Sequence, residues 1–175
     1  ESIDCSGHAT RYGYDERGHL SRVTDAEGHA TRYRCDARGQ VIGVTHPDGV
    51  EAHFTWDGEG NLRTYRDGAG QVTEYAFNTR RQPTWRKDAA GRQLTYAYDR
   101  QWRLTALTNE NREQTRFRYD PLGQLIEQTD FDGSTTRYRW DEAGRLAGST
   151  EGDVNTTYTR DPLGRLTRRE IDGPD

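Results

Sequence analysis

Leu, Ile, Val and Phe together supply only 24 of the 175 residues, and Met is absent. A chain this poor in aliphatics cannot fill the interior of an ordinary enzyme domain. No apolar run approaches the ~18 residues that a helical membrane span needs. The two cysteines, Cys5 and Cys35, lack metal-ligand spacing and make no disulfide framework. Lysine is nearly missing too, Lys87 being the single one, and 25 basic residues face 29 acids for a net charge of −4. No strongly basic field for nucleic acid follows from that balance. The opening Glu1-Ser2-Ile3-Asp4 is polar and carries no signal-peptide pattern. With Asp175 at the other end, the expectation is a piece cut from a longer protein. Low aliphatic content is also a mark of disordered chains. Against that stand 10 Tyr, 4 Trp and 4 Phe, an aromatic content such chains do not carry.

What is present is periodic. Segments starting at Gly7, Gly28, Gly49, Gly70, Gly91, Arg112 and Gly133 align at a spacing of 21 residues without gaps, and an eighth, one residue shorter, follows near residue 153. One aromatic column holds Tyr12, Tyr33, Phe54, Tyr75, Tyr96, Phe117, Tyr138 and Tyr158. A second holds Tyr14, Cys35, Trp56, Phe77, Tyr98, Tyr119, Trp140 and Arg160. Fourteen of the 18 aromatics fall in these two columns, which makes the repeat structural. The next column is an acid or its amide: Asp15, Asp36, Asp57, Asn78, Asp99, Asp120, Asp141 and Asp161. Five residues on comes an apolar position: Leu20, Val41, Leu62, Pro83, Leu104, Leu125, Leu146 and Leu166.

Each copy carries two turn signals. The first is Asp-x-x-Gly, ending at Gly18, Gly39, Gly60, Gly123, Gly144 and Gly164. The second runs Asp25–Gly28, Asp67–Gly70, Asp88–Gly91 and Asp130–Gly133, with His46–Gly49 as a variant. An Asp at the first position accepts from the turn backbone, and Gly at the fourth supplies a positive φ. A type I turn followed by a left-handed Gly bulge is a common hairpin connection. Between turns lie strand-length segments that alternate in character, as in Thr31-Arg32-Tyr33-Arg34-Cys35 and Thr136-Arg137-Tyr138-Arg139-Trp140. Such a loop pairs Tyr14 with Leu20 and Trp140 with Leu146. The return strand is less regular: Leu20 and Val23 have opposite parity, as do Val41 and Val44, and Leu104 and Leu107. Either it carries a bulge or its second aliphatic points to the other face. Copies four and five degrade, with no Gly in Asn78-Thr79-Arg80-Arg81, Trp102 in a Gly place and Pro83 in the Leu column. Pro is poorly tolerated in a central strand, so an irregular ladder is expected there.

The expected fold is therefore all-β, a single array over residues 1–175. Tandem antiparallel β-hairpins from about eight repeats give about 16 strands in an open sheet. Twisted open sheets rarely exceed ~10 strands without curling, so this one is expected to curve. It has too little aliphatic content for a thick two-layer core. Its end strands carry no capping module, which again points to an excerpt from a longer array.

The unit Tyr-x-Tyr-Asp-x-x-Gly-x-Leu resembles the Rhs/YD repeat family. It is seen best at Tyr12-Gly13-Tyr14-Asp15-Glu16-Arg17-Gly18-His19-Leu20 and at Phe117-Arg118-Tyr119-Asp120-Pro121-Leu122-Gly123-Gln124-Leu125. The resemblance covers almost the whole chain and is weakest in copies four and five and at Arg160. It implies hairpins wound into a hollow spiral shell, or cocoon, that encloses a C-terminal toxin domain. It further implies a secreted polymorphic toxin used between competing bacteria, often through type VI secretion. The implied partners are the protein's own toxin domain, the remaining shell repeats, a spike of VgrG and PAAR type and an effector chaperone. Related shells occur in insecticidal toxin complexes and animal teneurins. The shell is a container and not the toxic enzyme, and no cofactor is expected.

Other candidate sites read as structure. Asp120-Pro121-Leu122-Gly123 and Asp161-Pro162-Leu163-Gly164 are similar to the Asp-Pro segment at which such shells release their toxin, but both fall in the first turn column, where Pro is favoured at the second position. His8, His19, His29, His46 and His53 form no zinc pattern. Asp130-Phe131-Asp132-Gly133 lacks the twelve-residue loop of an EF-hand. No phosphate loop or nucleophile elbow is present. The arginine rows Arg32/Arg34, Arg116/Arg118 and Arg137/Arg139 lie opposite the aromatics; they could contact an acidic cargo or, with aromatics, a glycan or nucleic acid, and the favoured reading is a solvated face with cross-strand ion pairs. The alternative to a container is a surface adhesion or carbohydrate-binding array using Tyr, Trp and Arg. A stand-alone enzyme has little support.

Overall fold

The computed structural model describes residues 2–3 and 9–174. Cys5, Gly7 and His8, named above, lie outside the described residues. Every element among those residues is a strand or a turn, and none is a helix. The chain divides into two units, Glu1–Gln93 and Leu94–Asp175.

In unit 1 a two-residue strand, β1 (Ser2–Ile3), precedes β2 (Ala9–Tyr14), β3 (Leu20–Thr24), β4 (Ala30–Cys35) and β5 (Val41–Thr45). It continues with β6 (Glu51–Trp56), β7 (Leu62–Arg66), β8 (Val72–Phe77) and β9 (Pro83–Lys87). Each strand pairs antiparallel with the next. Gln93 opens β10 (Gln93–Tyr98), whose other residues lie in unit 2 with β11 (Leu104–Thr108), β12 (Gln114–Tyr119) and β13 (Leu125–Thr129). There follow β14 (Thr135–Trp140), β15 (Leu146–Glu151), β16 (Val154–Arg160) and β17 (Leu166–Asp172), again paired in sequence. Strands β2 to β17 are the expected sixteen; β1 adds a seventeenth because Ser2 and Ile3 pair with Thr10 and Ala9.

The turns form as their sequence dictates. At the first, the Asp15 carbonyl accepts from Gly18 N–H at 3.0 Å, and Asp15 N–H donates to the His19 carbonyl at 2.8 Å. The Asp15 carboxylate accepts from the N–H groups of Arg17 and His19 at 2.9 and 2.8 Å. Gly18 has φ +83°, the left-handed region that Gly enters without a Cβ clash. Two turns of the second kind use an acid at the third position rather than the residue at the first. At Asp130–Gly133 the carboxylate that takes the Ser134 N–H is Asp132, while Asp130 accepts from the Gln128 amide. At His46–Gly49 it is Asp48, which takes the Val50 N–H.

The return strand carries a bulge, and this settles the parity conflict. Gly13 pairs with Arg22 and Tyr14 with Leu20, leaving Ser21 as the extra residue. Leu20 and Val23 therefore share the Tyr12/Tyr14 face. The same shift recurs in all eight first-turn hairpins, with Ile42, Arg63, Thr84, Thr105, Ile126, Ala147 and Thr167 as the extra residues. The irregularity expected in copies four and five does not occur. Arg81, Trp102 and Arg112 take up the left-handed conformation with φ of 62°, 65° and 66°. Pro83 opens β9 opposite Phe77, a first-strand place where no ladder donor is needed. The shortened eighth copy has a physical cause: Glu151 pairs with Val154 across a two-residue loop, and Gly152, at its first position, has φ +55°.

Burial follows the alternation. Arg32 and Arg34 are exposed while Tyr33 and Cys35 between and beside them are half-buried; β12 and β14 show the same pattern. Among the described residues Ala52 is the one buried hydrophobic side chain, and no large side chain is fully buried. Each unit is thus a sheet with two accessible faces and no core.

Candidate functional site

The half-buried face is built from cross-strand stacks. Tyr14 lies opposite Leu20, Trp56 opposite Leu62, Tyr98 opposite Leu104, Tyr119 opposite Leu125 and Trp140 opposite Leu146. In the first aromatic column Phe54 meets Tyr65 with ring centroids 5.3 Å apart. Tyr33, Tyr96, Phe117, Tyr138 and Tyr158 occupy the same column half-buried, whereas Tyr12 and Tyr14 are exposed.

The second aromatic column also carries a polar function that periodicity alone does not reveal. Its side chains donate to the first carbonyl of the preceding return strand. Trp56 Nε1 reaches the Val41 carbonyl, Trp140 Nε1 the Leu125 carbonyl and the Tyr119 hydroxyl the Leu104 carbonyl, each at 2.8 Å. Cys35 Sγ makes the long counterpart to Leu20 at 3.9 Å. The bulge ends the backbone ladder before these carbonyls, and the side chain completes it. The readable signal was the column's composition, in which Trp, Tyr and Cys, all donors, outnumber Phe. Burial raises the Cys35 thiol, with the charges of Asp15 and Asp36 adding to it, so it stays protonated. Burial likewise raises the Tyr119 hydroxyl, opposed by the Arg103 charge, which keeps it a donor.

A second set of contacts joins successive turns. Arg103 Nε binds Asp99 at 2.7 Å, its Nη1 reaches the Asp120 carbonyl at 3.2 Å, and its guanidinium lies 4.8 Å from the Tyr119 ring centroid. The same column leans over the next turn glycine elsewhere: a Cβ on Gly144 would meet Gln124 Nε2 at 3.2 Å, and one on Gly164 would meet Arg145 Nη1 at 2.9 Å. Four of the first-turn acids are held below the ordinary Asp range. Asp15 is lowered chiefly by the His19 N–H, Asp57 by the Asn61 side chain, Asp141 by the Arg145 N–H and Asp161 by the Arg165 side chain.

The opposite face is polar. In unit 2, Glu127 accepts from Arg118 at 3.2 Å and Arg137 at 3.0 Å, the cross-strand ion pairs expected of a solvated face. Among the described residues no group of three or more His, Cys, Asp or Glu side chains has the geometry to hold a metal ion. Cys35 is a free thiol. Asp120-Pro121-Leu122-Gly123 and Asp161-Pro162-Leu163-Gly164 both form the ordinary first turn, with Leu122 and Leu163 at solvent-exposed tips. Asp36, Asp99 and Asp120 close the same turn around Gly39, Trp102 and Gly123.

The RHS repeat family model matches residues 1–30, 14–51, 103–135 and 119–153. No curated protein matches the chain. Among solved structures, TcdB2-TccC3-TEV is 22% identical with a TM-score of 0.60, over 95% of this chain and 9% of that one. TcdB2-TccC3-Cdc42 is 21% identical with a TM-score of 0.60, over 95% and 9%. A TccC3 mutant of the Photorhabdus luminescens Tc holotoxin pore is 22% identical with a TM-score of 0.59, over 94% and 9%. At these identities the likeness is one of fold, and the chain spans about a tenth of the length of each of these relatives.

Proposed function

Since this chain belongs to the RHS repeat family, we propose that it is a length of shell wall enclosing the C-terminal toxin domain of a secreted Rhs-type effector. The observation that carries the reading is a sheet without a core: two accessible faces, half-buried aromatics on one, and Ala52 as the one buried hydrophobic among the described residues. Such a sheet can exclude solvent and protease from whatever lies behind it. The fold shared with the TcdB2-TccC3 structures supports the same reading. Use between competing bacteria, through a type VI spike of VgrG and PAAR type with an effector chaperone, is the delivery route proposed.

The adhesion reading is weakened by the tryptophans. Trp56 and Trp140 are half-buried and have their indole N–H groups committed to backbone carbonyls. A sugar platform needs accessible ring faces. The test is limited proteolysis of the full-length protein, with the repeats intact and with Trp56→Ala and Trp140→Ala combined. The container reading expects the C-terminal domain to resist protease in the first and to be cut in the second. Equal cleavage in both, or glycan binding that the tryptophan variants abolish, would overturn it.

A further inference from the structure

One column of the polar face changes its residue from repeat to repeat. In unit 2, Glu127 sits between Arg118 and Arg137 and bonds both. Four repeats earlier the same column holds Gly43, between Arg34 on β4 and His53 on β6. Of these two bases His53 already lies 3.5 Å from the Glu51 carboxylate, and Arg34 is the one that, among the described residues, has none. A cavity of about 180 Å³ remains there, whose lining includes Arg32, Arg34, Gly43, Thr45, Glu51 and His53 beside the apolar Tyr33, Val44 and Ala52. A wider groove of about 660 Å³ adjoins it and shares Arg34 and His53. Gly43 leaves room there: a Cβ would lie 3.3 Å from Arg34 Nη2, and its three nearest neighbours would all be atoms of that flexible guanidinium. Gly148, in the same column, is no equivalent. Its added Cβ would meet the Thr156 carbonyl and the Arg139 guanidinium at 2.6 and 2.7 Å, and Thr157, not a base, stands beyond it.

Beside the hollow two arginines are brought together. Arg22 and Arg32 face each other directly across β3 and β4, a like-charge pair that is unfavourable unless something neutralises it. Arg22 Nε turns to the Thr24 hydroxyl at 3.1 Å, and among the described residues no carboxylate pairs with Arg22, Arg32 or Arg34. All three are exposed.

We propose that the Gly43 hollow is a docking site for an acidic, extended polypeptide segment, with one of its carboxylates reaching Arg34 over Gly43 as Glu127 reaches Arg118. Glu127 fixes the chemistry, because the same backbone column already holds a carboxylate in this chain. Arg32 and Arg34 stand two residues apart on one strand, about 6.6 Å, which matches side chains at alternate positions of an extended peptide. The rim includes Glu51, Asp36 and Asp57. These repel a continuous polyanion, whereas a peptide can set neutral residues against them. This site is independent of the container reading, since it requires only that this face meet a partner.

The test uses the 175-residue chain and a fluorescent peptide alternating Glu and Thr. A Gln/Thr peptide and a single-stranded oligonucleotide of equal charge serve as comparisons. The Glu/Thr peptide binds and the Gln/Thr peptide does not. Arg32→Gln with Arg34→Gln weakens binding about tenfold, as expected on losing two charge-assisted contacts. Gly43→Glu abolishes binding by supplying the carboxylate from within, and raises the thermal midpoint by quenching the arginines. Arg116→Gln with Arg118→Gln leaves affinity within about twofold, the scale of remote surface charge. No binding, equal loss in the unit 2 variant, undiminished binding by Gly43→Glu, or tighter binding of the oligonucleotide would each overturn the proposal.

Discussion

Asn78 and Asn109 stand where most turns have Asp, and they accept the same two backbone N–H groups. The essential atom is thus one side-chain oxygen, and the charge is secondary. Asp141→Asn should therefore shift the thermal midpoint little at neutral pH, and Asp141→Ala should lower it by several degrees. The charge shows at acid pH. Asp15, Asp57, Asp141 and Asp161 are held below the ordinary range by their turn donors. Carboxylates with lowered folded values favour the folded state above about pH 4, and that contribution is lost as pH falls through those values. Urea unfolding should give stability that is flat from neutral to mildly acid pH and then declines, with a smaller decline in Asp141→Asn. The left-handed side chains are the opposite case. Arg81→Gly and Arg112→Gly should each raise unfolding free energy by about 1 kcal/mol, by removing a Cβ clash. The alignment places Arg81, Trp102 and Arg112 in the Gly column, but that a side chain there keeps the same left-handed φ is visible only in the structure.

The hairpin is the next scale. The strands, the first-edge turns and the Tyr14–Leu20 and Trp140–Leu146 pairings could be read from column and parity. The bulge was not decidable, because one extra residue and a flipped side chain leave the same parity conflict at Leu20 and Val23. The side-chain bonds from Trp56, Tyr119 and Trp140 were missed since they run fifteen residues back, to a carbonyl that the bulge leaves off the ladder. Trp140→Phe keeps most of the stack and removes the Leu125 bond. It should cost about 1 kcal/mol in chemical unfolding. Gly164→Ala faces both a φ of +82° and the Arg145 guanidinium, and should cost about 1–2 kcal/mol. Gly58→Ala in a neighbouring kind of turn position meets nothing within 4 Å and should be close to neutral.

At the scale of the molecule, contacts run between sequence neighbours, as in any array of repeats. Damage should therefore stay local. In Trp140→Ala, amide exchange should quicken in β13 to β15, while amides more than two repeats away keep their protection. The family model's match lapses between residues 51 and 103, the stretch that holds Asn78, Arg81, Pro83 and Trp102. The strands there pair with the same register shift as elsewhere, so the backbone tolerates substitutions that blur the motif.

The scarcity of buried apolar side chains also shapes how the protein answers temperature. Unfolding a chain like this hydrates little hydrocarbon, so the heat capacity increment should fall below the usual ~12–15 cal/mol/K per residue. Its stability curve is then broad and shallow, with marginal warming and marginal chilling alike leaving the fold nearly as firm as before. For the container wall proposed above, flatness is worth more than a high peak.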